Sequence, residues 1–95
     1  MLISYYAIIY EENEGYYLIF PDLPGCVSCG DDIYEVKQMG QDAMELYLDG
    51  VEVEKLPVKT EFECGNTTIN RYILISAELK IDNGRLFSDK VQKRN

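Results

Sequence analysis

Two cysteines, Cys26 and Cys29, have the Cys-x-x-Cys spacing found in zinc sites and in redox-active thiol pairs. The chain has no histidine, and with Cys64 as the only other cysteine a tetrahedral zinc site lacks its fourth protein ligand. A redox pair normally opens a helix, but this pair falls in a predicted strand, where residues three apart point to opposite faces. We therefore interpret Cys26 as a small buried hydrophobe and predict no metal site and no cofactor.

Carboxylates are the other side chains that could take part in catalysis. Two-metal phosphoryl transfer needs several carboxylates that converge on ions about 4 Å apart. The first predicted strand contains no carboxylate. Only Glu45 on the predicted helix and Glu78 on the last strand remain as candidates, so the set of carboxylates that a two-metal site needs is incomplete. Because histidine is absent as well, no nucleophile has a partnering base. We predict no catalytic residue and no enzyme activity, and interpret the carboxylates as a solvated face or a docking surface.

The charge is distributed unevenly along the 95 residues. Residues 1–70 contain fourteen acidic and three basic side chains, whereas residues 71–95 contain three acidic and six basic ones. An acidic body repels nucleic acid and membrane phosphates and attracts a basic partner, although solubility alone is the commoner reason for such charge. The chain has no apolar run long enough for a membrane span and no signal-peptide pattern, so we expect one small cytoplasmic domain with no membrane contact.

The elements that must position these side chains are arranged around residues 20–32. Pro21 and Pro24 lack the N–H that a strand ladder requires, so pairing should stop near Phe20 and resume for a short strand at 26–29. Two strands at 2–10 and 16–20 are predicted before this break. A strand at 71–79 is predicted after it, and a weak alternation at 58–64 allows an edge strand.

A helix is predicted from residue 33 to about 49. Asp32 has the character of an N-cap, and Glu35 is placed to reach back to the Asp32 amide as in a capping box. Gly40 on the apolar face predicts a close approach to the sheet, and Gly50 suits the position after the helix. The apolar face recurs at spacings of three and four residues: Ile33, Val36, Gly40, Ala43, Met44 and Tyr47.

The predicted fold class is α+β with element order β-β-β-α-β. An antiparallel three-stranded meander would be joined by a fourth strand parallel to the first, with one helix packed on one face. The first strand is uncharged and apolar on both alternations, so its second face requires a cover, for which a partner chain is the obvious candidate. We therefore predict a homodimer or higher oligomer whose interface contains tyrosines of the first hairpin: Tyr5, Tyr6, Tyr10, Tyr16 and Tyr17.

A longer pattern resembles the HicB antitoxin family. It consists of Tyr16-Tyr17, the phrase Phe20-Pro21-Asp22-Leu23-Pro24-Gly25-Cys26, the pair Gly30-Asp31, and a helix that ends Glu45-Leu46-Tyr47-Leu48. The resemblance covers residues 3–50 and the strand at 72–79. It implies a partial ribonuclease-H-like fold, in which a true nuclease would have a carboxylate on the first strand. It also implies a HicA-type partner, a small basic toxin that acts as an mRNA interferase and is neutralised by direct binding.

The resemblance divides the chain into a toxin-neutralising domain at 1–80 and a short basic tail at 81–95. HicB members usually carry a DNA-binding segment after the last strand, and the tail is too short for a helix-turn-helix, so we predict no complete DNA-binding domain, which makes operator binding doubtful. A basic toxin is expected to dock on acidic residues at the motif and the helix start: Asp22, Asp31, Asp32 and Glu35. Two other classes stay open, a stand-alone acidic protein-binding module and, with less support, a metal-dependent ribonuclease-H-like nuclease.

Overall fold

The structure, a computed structural model, describes residues 1–60 and 72–88. Within these residues, a four-stranded sheet has the order β3-β2-β1-β4, a single α-helix packs on one of its faces, and a separate hairpin is formed by β5 and β6. The described elements are β1 (Leu2–Glu12), β2 (Gly15–Ile19), β3 (Val27–Gly30), α1 (Ile33–Leu48), a 3₁₀ turn (Val53–Lys55), β4 (Tyr72–Glu78), β5 (Lys80–Asp82) and β6 (Arg85–Phe87).

Strand β1 is the centre of the sheet because it pairs with β2 on one side and β4 on the other. Its buried side chains alternate, with Ile3, Tyr5, Ala7 and Ile9 facing the helix. The strand register puts another set of side chains on the opposite side of the sheet, which we call the outer face. The outer face consists of Leu2, Ser4, Tyr6, Ile8, Tyr10, Glu12, Tyr17, Ile19, Val27, Cys29, Tyr72, Leu74, Ser76 and Glu78.

The predicted break after β2 is confirmed. The Leu23 N–H donates to the Phe20 carbonyl at 3.1 Å and the Cys26 N–H donates to the Leu23 carbonyl at 2.9 Å, so the loop bonds to itself instead of to a strand. Gly25 has a φ of 85°, which an L side chain rarely adopts. The apolar side chains of Phe20, Leu23 and Cys26 are buried, so the motif is a closed loop anchored in the core.

Helix α1 begins as predicted, with one difference at its cap. The Asp32 carboxylate accepts a hydrogen bond from the Glu35 N–H at 2.8 Å, which confirms the N-cap. The Glu35 carboxylate, however, accepts from the Asp31 N–H at 2.7 Å and not from the Asp32 N–H that we predicted. The reciprocal cap therefore closes one residue earlier and ties Asp31 to the helix.

The predicted apolar face of α1 is confirmed in its centre and wrong at its end. Gly40 lies against Leu18, where an added Cβ would be 3.0 Å from the nearest Leu18 atom, so the predicted close approach is present. Tyr47 is 38% exposed, and Leu48 is fully buried in its place. The helix ends at Leu48, and Gly50 has the positive φ expected after a helix.

The predicted direction of the fourth strand is wrong. Strand β4 starts beside Ile8 and ends beside Leu2, so it runs antiparallel to β1. The parallel prediction assumed a direct return from helix to strand, as in a βαβ unit. Residues 49–71 separate α1 from β4, and that length is enough to bring the chain back to the other end of the sheet. The weak strand predicted at 58–64 is not formed at 58–60, and its remainder lies outside the described residues.

The segment expected as a basic tail is structured as far as residue 88. Strands β5 and β6 pair around a turn at Asn83 and Gly84, and both residues have positive φ. Leu86 is fully buried in the core, its carbonyl accepts from the Gly50 N–H at 2.7 Å, and its own N–H donates to the Val51 carbonyl at 2.9 Å. The hairpin therefore covers the part of the core next to the C-terminal end of α1. The folded part of the chain thus extends past the boundary at residue 80 that the sequence suggested.

Candidate functional site

The cysteine pair does not converge. Cys26 is buried, and burial raises the pKa of its thiol to about 11, which makes it a poor nucleophile. Cys29 is exposed and lies on the outer face opposite Tyr17. In residues 1–60 and 72–88, no three acidic or sulfur-bearing side chains lie close enough together to hold a metal ion.

The two carboxylates considered for nuclease chemistry have structural partners. Glu45 is 7% exposed, and its Oε1 accepts a hydrogen bond from the Ser88 hydroxyl at 3.1 Å. Glu78 accepts from the N-terminal amine of Met1 at 2.9 Å. Glu45 therefore joins the helix to the residue that follows β6, and Glu78 fixes the start of β1.

The five tyrosines of the first hairpin divide between the two faces of the sheet. Tyr5 is only 3% exposed, its hydroxyl donates to the Pro57 carbonyl, and burial together with the nearby Asp22 carboxylate raises its pKa. Tyr16 also lies on the helix side and packs against the core. Tyr5 is thus a core residue, contrary to our expectation of an exposed interface position. The outer face keeps Tyr6, Tyr10 and Tyr17, and the rings of Tyr10 and Tyr17 stack with their centroids 4.9 Å apart.

Three of the four acidic residues predicted as a docking site come together. Asp31, Asp32 and Glu35 meet at the N-terminus of α1 through the hydrogen bonds of the cap. Asp22 lies elsewhere, where its carboxylate accepts from the Thr60 N–H at 2.8 Å and from the Thr60 hydroxyl at 2.7 Å. It precedes β3 and Asp31 follows β3, so a strand roughly 10 Å long separates them. The expected clustering of all four residues is therefore wrong for Asp22.

The helix start borders a groove that the sequence pattern did not predict. Its volume is about 950 Å³, and it lies between the β1–β2 turn and the N-terminus of α1. Four carboxylates line it, those of Glu12, Glu14, Asp31 and Glu35, and among the described lining residues there is no lysine or arginine. We call it the acidic groove. Its remaining lining residues are Asn13, Gly15, Tyr16, Cys29, Gly30 and Met39.

The strand register explains why the turn and the helix start are neighbours. Strands β2 and β3 pair antiparallel with Tyr16 opposite Gly30, so the beginning of β2 meets the end of β3. An added Cβ on Gly15 would be 2.8 Å from the Gly30 carbonyl oxygen, which shows how closely the two backbones approach. The signal that could have revealed Glu12 and Glu14 is this pairing, because carboxylates before β2 and after β3 must then share one edge.

The chain belongs to the family of HicB-like antitoxins of bacterial toxin–antitoxin systems, whose sequence model matches residues 5–94. The resemblance drawn from the motif is thereby confirmed, and members of this family are antitoxins that act on a toxin partner. No helix among the described residues is long and apolar enough to cross a membrane.

Two curated relatives are similar to part of the chain. An uncharacterised 14.9 kDa protein from the rep–hol intergenic region of Haemophilus phage HP1 is 34% identical over an alignment of 61 residues that covers 61% of this chain and 46% of the phage protein. A UPF0150 protein of Helicobacter pylori strain J99 is 39% identical over 56 residues, 59% of this chain and 75% of that protein. The match thus spans less than half the length of the phage relative. No solved structure matches the chain.

Proposed function

We propose that this antitoxin neutralises a HicA-type ribonuclease by binding it directly through the acidic groove and the helix start. The observation that carries the proposal is the convergence of four carboxylates, from the β1–β2 turn and from the α1 N-terminus, in a chain of the HicB-like antitoxin family. An enzyme that binds RNA presents basic side chains to phosphates. A surface dense in carboxylates can occupy those side chains in place of RNA, with no chemistry performed by the antitoxin.

The available charge in the groove supports this proposal. The carboxylates of Glu12, Glu14 and Asp31 have no hydrogen-bond or ion-pair partner within the described residues. These three carboxylates are therefore available to pair with lysine or arginine side chains of a partner. Asp32 is different, because its carboxylate caps the helix. Asp22 is different as well, since it binds Thr60, and we assign it to holding the segment after the helix.

The total charge of the chain also affects how fast a basic partner associates, because it acts at long range. The formal net charge of the chain is −8 at pH 7. Complementary charge raises the rate at which partners meet more than it raises their final affinity, and salt screens it over about 10 Å at 0.1 M. Association with a basic toxin should therefore be fast at low ionic strength and should slow as salt is added.

The experiment removes groove charge while preserving shape. The triple variant Glu14→Gln, Asp31→Asn and Glu35→Gln keeps every side-chain length, and the new amide at position 35 retains an oxygen that can accept from the backbone N–H of residue 31. We expect its association rate with a HicA-type toxin at low salt to fall about tenfold or more, and the difference from wild type to shrink at high salt. Stopped-flow or biosensor measurement at several salt concentrations gives both rates and slopes.

Two control variants distinguish a loss of toxin docking from a general loss of charge and from a loss of stability. Glu54→Gln removes one charge at an exposed position in the 3₁₀ turn after the other end of α1 and should leave the rate nearly unchanged. Asp32→Ala removes the cap together with one charge at the helix start, so it should cost about 1 kcal/mol of stability and reduce the salt slope by no more than the loss of one groove carboxylate does. If the triple variant binds at the wild-type rate at every salt concentration, the toxin docks elsewhere. If HicA-type toxins fail to bind and another basic protein does, the chain is an acidic binding module of a different specificity.

A further inference from the structure

We infer that the contact with the toxin continues from the acidic groove along one exposed side of α1, where Met39 and Leu46 are its apolar anchors. The inference rests on the proposed function, since it extends the same contact. Met39 is 44% exposed and lines the acidic groove, and Leu46 is 63% exposed. We call this side of the helix the helix stripe, and it consists of Glu35, Met39, Asp42 and Leu46. Because Glu35 and Met39 belong to both, the groove and the helix stripe form one continuous surface.

Helical spacing sets the helix stripe apart from the core. In a helix of 3.6 residues per turn, its four positions lie within about 60° of one another. The residues that α1 buries in the core, among them Val36, Gly40 and Met44, lie on a different side of the helix. Single apolar side chains scattered over a surface are ordinary, but Met39 and Leu46 share one stripe that leads out of a groove. Their exposure therefore indicates a contact surface and not an edge of the core.

The charges beside the two anchors identify the basic toxin as the occupant. Glu35 and Asp42 alternate with the apolar side chains, and the helix stripe contains no lysine or arginine. A second copy of this chain, with its net charge of −8, would bring like charges together along the stripe. A basic protein that presents an apolar patch between lysine or arginine side chains matches both kinds of residue. The helix stripe thus predicts such a patch on the toxin, next to the basic side chains that enter the acidic groove.

The anchors and the carboxylates should act on different rate constants. Complementary charge steers two partners toward each other, so the groove carboxylates raise the association rate. Apolar side chains make their contacts only after docking, and changes in such contacts appear mainly in the dissociation rate. A few buried anchors inside a polar rim usually supply most of the binding energy of an interface. Removing Met39 and Leu46 should therefore speed dissociation and leave the association rate and its salt dependence unchanged.

The test compares the double variant Met39→Ala, Leu46→Ala with the matched control Tyr34→Ala. All three substitutions replace exposed side chains of α1 with the best helix former, so the fold should persist, and urea unfolding checks this. Tyr34 is 84% exposed, but it lies roughly 110° around the helix from the stripe, beside a separate groove next to β4. In biosensor measurements with a HicA-type toxin, we expect the double variant to dissociate at least about tenfold faster than wild type and Tyr34→Ala to match wild type.

The outcomes distinguish this inference from the proposed function. A double variant that dissociates at the wild-type rate overturns the helix stripe, and slow association of the charge-reduced triple variant then still supports the acidic groove. Faster dissociation of the double variant, together with wild-type association of the triple variant, supports the stripe and overturns the groove. Equal acceleration by Tyr34→Ala would mean that the effect is not specific to the stripe and would overturn the inference. A wild-type protein that binds no HicA-type toxin would overturn both.

Discussion

Replacing Leu86 with alanine is expected to destabilise the protein by about 2–5 kcal/mol. Leu86 is fully buried in the core, and both of its backbone groups bond to the segment that follows α1. Removing its side chain leaves a cavity between the hairpin and the helix end that neighbouring atoms fill only in part. Urea denaturation followed by circular dichroism gives the free energy of unfolding directly.

Ile81→Ala is the matched control for this prediction. Ile81 lies in the same hairpin, and its side chain is 50% exposed, so its loss should change stability by about 0.5 kcal/mol or less. If Leu86→Ala is as mild as Ile81→Ala, the hairpin is a dispensable extension and the core ends near residue 80. The expected contrast would instead establish that the domain includes β5 and β6.

Replacing Gly30 with alanine is expected to cost about 3 kcal/mol. An added Cβ would lie 2.6 Å from the Val36 nitrogen and 2.9 Å from the Val36 Cα, which are backbone atoms of the helix. A flexible side chain could move aside, but here the whole start of α1 must shift. Thermal or urea unfolding measures the loss of stability, and the shift should also weaken toxin binding because Asp31 and Glu35 move with the helix.

Comparing Gly25→Ala with Gly30→Ala distinguishes the cost of backbone strain from the cost of steric crowding. Gly25 has no atom within 4 Å of an added Cβ, but its φ of 85° disfavours an L side chain by about 1–2 kcal/mol. We expect Gly30→Ala to be the more damaging of the two changes and Gly25→Ala to leave toxin binding intact. An equal or smaller loss for Gly30→Ala would mean that the helix does not press against β3 as described.

Much of the fold was predictable because its signals are local. The prolines at 21 and 24 end β2, Asp32 caps α1, and an uncharged apolar run defines β1, all within a few residues of sequence. The direction of β4 was not predictable in this way, because it depends on where residues 49–71 lead the chain. The β5–β6 hairpin was missed for a related reason. Its three-residue strands are short, and its burial depends on Leu86 meeting a helix end that is distant in sequence.

The candidate site could likewise be predicted from the sequence only in part. Asp31, Asp32 and Glu35 are neighbours in sequence, so a cap at the helix start was enough to group them. Glu12 and Glu14 join them only through the β2–β3 register, and Asp22 leaves the group because β3 lies between. The predicted meander already put β2 beside β3, but the register of the two strands, which decides which side chains meet, was not predicted from the sequence.

The proposed neutralisation of a ribonuclease is tested most directly by titration. A HicA-type toxin is incubated with a labelled RNA and with increasing amounts of this protein, and cleavage is followed on a gel. We predict that cleavage falls to zero once the protein is in slight stoichiometric excess, and that the protein alone cleaves no RNA with magnesium or manganese. Toxin that remains fully active in a large excess of the folded protein would contradict the account.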